Sequence, residues 1–121
     1  MENSINDSIL KTIRQMIGPE VNYEAFDTDL IININSALMK LNQLGVGPKE
    51  GFRITSTEET WEQLLCGFKD LESVKMYVYI KTKLIFDPPT SSAYIDVLKQ
   101  EASELEWRIN VQVEGADHNA E

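Results

Sequence analysis

Apolar residues recur at intervals of three and four along most of this chain, the spacing that gathers them on one side of an α-helix. Ile5, Ile9, Ile13, Met16 and Ile17 form the first stripe and predict a helix from about Ser4 to Ile17. Gly18-Pro19 ends it, since glycine accepts a left-handed cap and proline cannot continue the hydrogen-bond ladder. A second stripe runs through Leu30, Ile34, Ala37, Leu38 and Leu41. Asp27 suits its N-cap, Asp29 adds negative charge near the positive end, and Phe26 and Ile31 have the spacing of a hydrophobic staple. Gly45 falls where a C′ residue belongs, with Val46 placed to fold back on Leu41 in a Schellman cap.

The connection from Gly47 to Thr55 closes on Phe52-Arg53-Ile54-Thr55, whose alternation predicts a short strand or one arm of a hairpin. A lone strand in a helical domain is poorly stabilised, so a second chain is one way to complete it. Ser56-Thr57-Glu58-Glu59 has the form of a capping box opening a short third helix, with Trp61, Leu64, Leu65 and Phe68 inward and Gly67 at its close. Asp70 caps a fourth helix from Leu71 to Phe86. Its face of Leu71, Val74, Tyr77, Val78, Leu84 and Ile85 is widened by Met76, Tyr79 and Ile80. A helix apolar over so much of its girth belongs at a domain centre or a subunit boundary.

Asp87 precedes Pro88 and is pushed out of the helical region, so the fourth helix stops near Phe86. Thr90 and Ser91 offer caps for a fifth helix that runs to about Asn110, with Tyr94, Ile95, Leu98, Ala102, Leu105 and Ile109 inward. Lys99, Glu101, Glu104 and Arg108 solvate its other side. A corner as short as Asp87-Pro88-Pro89 makes the two helices antiparallel neighbours. Gly115 to Glu121 has no apolar face and reads as a tail. The pattern as a whole predicts a mainly α protein: a compact bundle of about five helices, an extended arm or hairpin between the second and third, and an extended C-terminal tail. The division is one helical domain over residues 1–112 and an acidic tail over 113–121.

Composition narrows the classes. A chain of 121 residues suits one domain with a modest core. No apolar run approaches the ~18 residues of a membrane span. Met1-Glu2-Asn3-Ser4 has no secretory signal, so cytoplasmic synthesis is expected. Cys66 is the only cysteine, which rules out an intrachain disulfide and a thiolate cluster. The net charge of −9 argues against a protein that grips nucleic acid, because phosphate binding needs clustered Lys and Arg.

Candidate chemistry is sparse. Cys66 reads as a small core residue and His118 lies in the tail, so no nucleophile and base are paired. Glu58, Glu59 and Glu62 sit at a helix start where negative charge is favourable, and Glu101, Glu104 and Glu106 read as a wet face. Asp27 and Asp29 cap rather than bind metal. Gly45-Val46-Gly47-Pro48 follows a helix and lacks the Gly-Lys-Ser/Thr ending of a phosphate loop. A helix-turn-helix is disfavoured too: the candidate recognition helix opens Asp70-Leu71-Glu72, and Lys75 and Lys81 lie about 240° apart around it. No enzyme, cofactor or metal is predicted. Trp107 falls off its helix's stripe among charged residues, and it is the best candidate for an anchor at a protein–protein contact. Phe52 and Ile54 of the arm join it as candidate interface residues.

Two segments carry a resemblance: Phe26-Asp27-Thr28-Asp29-Leu30 through Asn42-Gln43-Leu44-Gly45-Val46-Gly47-Pro48, and Leu71-Glu72-Ser73-Val74-Lys75 through Phe86-Asp87-Pro88-Pro89-Thr90-Ser91-Ser92. With Glu104-Leu105-Glu106-Trp107-Arg108-Ile109-Asn110 they resemble the small head–tail connector (adaptor) proteins of long-tailed bacteriophages, over Ile9 to about Gln112. The resemblance implies a structural virion protein of the neck, made in the host bacterium. It implies a homo-oligomeric ring, commonly of twelve subunits, beneath the portal protein. The ring extends the DNA channel and offers a platform to a stopper or tail-completion protein. Phage DNA would pass without sequence-specific binding, which the acidity suits, and no membrane is involved. It also implies portal docking by the C-terminal segment, so Val111 and Val113 are added as candidate interface residues. Two other classes make different predictions. A monomeric acidic regulatory or protein-binding module would mass its carboxylates on one face. A small enzyme without a motif would show a concave pocket with perturbed carboxylates.

Overall fold

In the computed structural model the described residues are 5–18 and 24–119. Helix α1 spans Ile9–Ile17, α2 Asp27–Gln43, α3 Trp61–Leu65, α4 Leu71–Phe86 and α5 Ser92–Asn119, with a 3-10 turn at Glu24–Phe26 leading into α2. The fold is mainly α, as the periodicity predicts, and α4 is its centre: α1, α2 and α5 all pack on it. Its wide apolar face therefore meets three neighbours, with Val74, Tyr77, Val78 and Ile80 fully buried. The α2 stripe of Leu30, Ile34, Ala37, Leu38 and Leu41 is buried as a unit.

Several local rules hold to the residue. Asp70 accepts from the Ser73 N–H at 3.1 Å and opens α4. The Ser91 hydroxyl accepts from the Tyr94 N–H at 3.3 Å and opens α5. At the end of α2, Gly45 N–H donates to Asn42 O and Val46 N–H to Leu41 O, both at 3.0 Å, which is the Schellman pair. Gly45 has φ +101°, and a Cβ built on it would lie 2.6 Å from Cγ1 of Val113. The bare glycine thus lets the far end of α5 close over the α2 cap. Gly45→Ala is expected to cost about 1–3 kcal/mol in urea unfolding, from left-handed strain plus the clash. Adding Val113→Ala should recover only the clash part.

Elsewhere the structure corrects the pattern. The first helix begins at Ile9, capped by the Ser8 hydroxyl, which accepts from the Lys11 N–H at 3.2 Å. The residues before it form a turn and a bend, and their backbones pair with the entry to α3. Ile9 N–H donates to Glu59 O, Trp61 N–H to Asp7 O and Glu62 N–H to Ile5 O. Ser4 and Pro19 lie outside the described residues. The capping box that opens α3 is Thr60 with Gln63, four residues on from Ser56 with Glu59. Glu59 still reaches back to the N–H groups of Thr55 and Ser56, at 3.0 and 3.1 Å, and so ties a turn rather than a helix. Asp27 is the first residue of α2 instead of its cap, and its carboxylate pairs with Arg14 of α1. Cys66 is exposed, not core: it takes a left-handed φ of 51° as the short α3 turns out through Gly67.

The fifth helix continues past Asn110 to Asn119, so the backbone of residues 113–119 is helical where the pattern reads a tail. Two contacts beyond Ile109 account for this. Gln112 Nε2 donates to Asp70 Oδ2 at 3.0 Å, and Val113 extends the Ile109 side of the helix onto the core. One internal Gly115 weakens a helix by about 1 kcal/mol without stopping it. Residues 120 and 121 lie outside the described residues.

Candidate assembly surfaces

The arm after α2 contains no strand among the described residues; the bridge between Ser8 and Thr60 is isolated. What replaces a partner strand is one side chain. Asn35, in the middle of α2, accepts from the Ile54 N–H at 2.7 Å and donates to the Ile54 carbonyl at 2.9 Å. Its amide presents the same acceptor and donor that a neighbouring strand would, so both backbone groups of Ile54 are satisfied. Ile54 is fully buried in the chain's own core. Nothing in the local sequence announces a pair nineteen residues apart.

Held in this way, residues 51–53 lie alongside α2 and leave an apolar groove. Ile31, Ile32, Asn35, Ser36 and Met39 form one wall, with Glu50, Gly51, Phe52 and Arg53 opposite. Phe52 is half-buried and packs on the core from this side. Ile32 and Met39 are 61% and 66% exposed, on the outward face of α2 about two turns apart. Past Ile32 the surface reaches Ile85, Phe86 and Phe26 together with Asp29 and Asn33, the two phenylalanine rings meeting edge to face at 5.8 Å. The half-buried Phe86 at the Pro-Pro corner therefore borders a surface of mixed polarity.

A second surface lies on α5. Trp107 is 71% exposed, beside Met76 and Leu105 and among Glu101, Glu104 and Arg108. Val111, one turn on, is also exposed, whereas Val113 is half-buried at Gly45. Glu106 departs from the wet face expected of it. It is half-buried and accepts from the Tyr77 hydroxyl at 2.6 Å, tying α5 to α4. Burial, reinforced by the hydrogen bond and the negative charge of Glu106, pushes the Tyr77 phenol far above its usual range. Asp70 makes a second tie to α5. Burial pushes its carboxyl up, but the hydrogen bonds from Ser73 and Gln112 outweigh this and hold it below the usual carboxylate range. With Tyr77 opposite Glu106 and Asp70 opposite Gln112, α4 and α5 run antiparallel.

Among the described residues no group of three His, Cys, Asp or Glu side chains is placed to hold a metal ion. Among the same residues no helix is long and apolar enough to cross a membrane. The titratable groups that stand out, Asp70, Tyr77 and Glu59, have structural partners already described.

The distinctive surface features of this small helical domain are thus an apolar groove and a projecting tryptophan, which mark its candidate assembly surfaces. The chain belongs to the phage connector protein family, whose model matches residues 9–116. This is a structural family of virion components that associate with other virion proteins, generally without enzymatic activity. No curated protein and no solved structure matches the chain.

Proposed function

We propose that the chain is a head–tail connector subunit that assembles as a ring below the portal, extends the DNA channel and joins the capsid to the stopper or tail. The observation that carries this reading is the family match across residues 9–116, which takes in the whole helical core. Two exposed apolar surfaces on one small domain support it, because a monomer gains nothing by leaving Trp107, Met39 and Ile32 in water. In this reading the C-terminal end of α5 reaches the portal, and a net charge of −9 keeps the channel from adhering to DNA. A ring of twelve subunits is the expected stoichiometry. Electron microscopy of the protein mixed with its cognate portal tests the proposal. A ring stacked on the portal is expected, and portal particles that stay bare at saturating protein would overturn it.

A further inference from the structure

The two apolar surfaces differ in shape and charge, and the difference says how copies meet. We infer that the groove between α2 and the arm of one copy receives Trp107 of the next, a head-to-tail contact repeated from subunit to subunit. The inference rests on the ring reading above and adds the interface to it. Trp107 is the most exposed large hydrophobic side chain among the described residues, and a tryptophan gains most from entering a pocket. The groove offers it Ile32, Phe52 and the thioether of Met39, a side chain well suited to an aromatic ring.

The charges around each surface complement the other. Arg53 and Glu50 rim the groove, while Glu101, Glu104 and Arg108 surround Trp107. None of these five forms an ion pair among the described residues. Docking brings Arg53 to the glutamate pair, while Arg108 already acts on Asp70 of its own chain. The two-fold alternatives match these surfaces less well. Tryptophan patch against tryptophan patch sets Glu101 and Glu104 against their own copies, and groove against groove leaves both empty. A contact between two different surfaces propagates around a ring, or along a filament if the rotation does not close.

Cysteine crosslinking on the full chain, mixed with cognate portal, tests this contact. The background is Cys66→Ser, since Cys66 is exposed. Ser36→Cys in the groove wall and Ser103→Cys, one turn before Trp107, alter exposed positions and leave the apolar anchors and the charged rim in place. With a short bis-maleimide, the double variant should give a ladder of covalent oligomers up to the closed ring. A mixture of the two single variants should stop at dimers, and each single variant alone should stay monomeric. Rings seen on the portal without a ladder would overturn the interface and leave the proposed function standing. Dimers from either single variant alone would overturn it in favour of a two-fold contact. If no ring forms on the portal, both the interface and the proposed function fall.

Discussion

Trp61→Ala should lower the unfolding free energy by about 3–5 kcal/mol, read by urea denaturation followed by circular dichroism. Trp61 is fully buried, although its helix is only five residues long. Such a helix has no stability of its own. Its place depends on the indole, which sits in the common core with Ile9, Ile13 and Leu64. The indole N–H donates to the Thr12 hydroxyl at 3.1 Å, and that hydroxyl donates in turn to the Ser8 carbonyl at 2.7 Å. Trp61 thus fastens α3 to the first turn of α1, beside the backbone pairing of residues 5–9 with 59–62. Thr12→Val separates the two contributions. It removes the acceptor and leaves the indole N–H buried and unpaired, at a cost of about 1–3 kcal/mol, while the ring stays packed. A loss below about 1 kcal/mol for Trp61→Ala would mean that α3 is held by its backbone contacts alone.

What the chain reveals locally, it reveals well. The limits of α4 follow from Asp70 at one end and Asp87-Pro88 at the other, and both signals act within a turn of the residue they govern. The buried face of α2 and its Schellman exit are equally local. Misreadings arise where a distant segment decides. Ser56 with Glu59 and Thr60 with Gln63 both spell a capping box, and the pairing of 59–62 with 5–9 selects the second. The fifth helix outruns its stripe because Asp70 and Gly45 receive Gln112 and Val113. Glu106 looks solvated until Tyr77 is opposite it.

The candidate surfaces divide in the same way. Trp107 was legible because it breaks its own helix's stripe, and the structure leaves it exposed. The groove is not legible in the pattern, although Ile32 and Met39 carry a similar signal: they fall off the Leu30–Leu41 stripe on the opposite face. Phe52 of the arm does line the groove, while Ile54, two residues on, is wholly enclosed. Alternation in an extended segment separates two sides without saying which one faces the core.

Asn35→Ala should destabilise the protein by about 2–5 kcal/mol, because it strands two buried backbone groups at once. The N–H and carbonyl of Ile54 both bond to the Asn35 amide, and an alanine methyl satisfies neither. The arm then has to move to reach water, and the groove wall formed by Phe52 and Arg53 moves with it. In the proposed ring reading, assembly on the portal should therefore weaken together with stability. Asn35→Asp distinguishes this account from a simple loss of packing. An ionised carboxylate keeps the acceptor for the Ile54 N–H but sets negative charge against the Ile54 carbonyl. The protonated acid supplies both an acceptor and a donor, so folding favours the neutral form and raises the carboxyl's folded pKa above its unfolded value. Stability from a group raised in this way is fully present below the unfolded pKa and fades as pH rises through the folded one. The deficit of Asn35→Asp relative to the parent should accordingly be large at pH 7 and narrow toward pH ~4, whereas that of Asn35→Ala should show no such narrowing. Parallel pH profiles for the two variants, measured by urea midpoint, would show that the amide's paired hydrogen bonds are not what holds the arm.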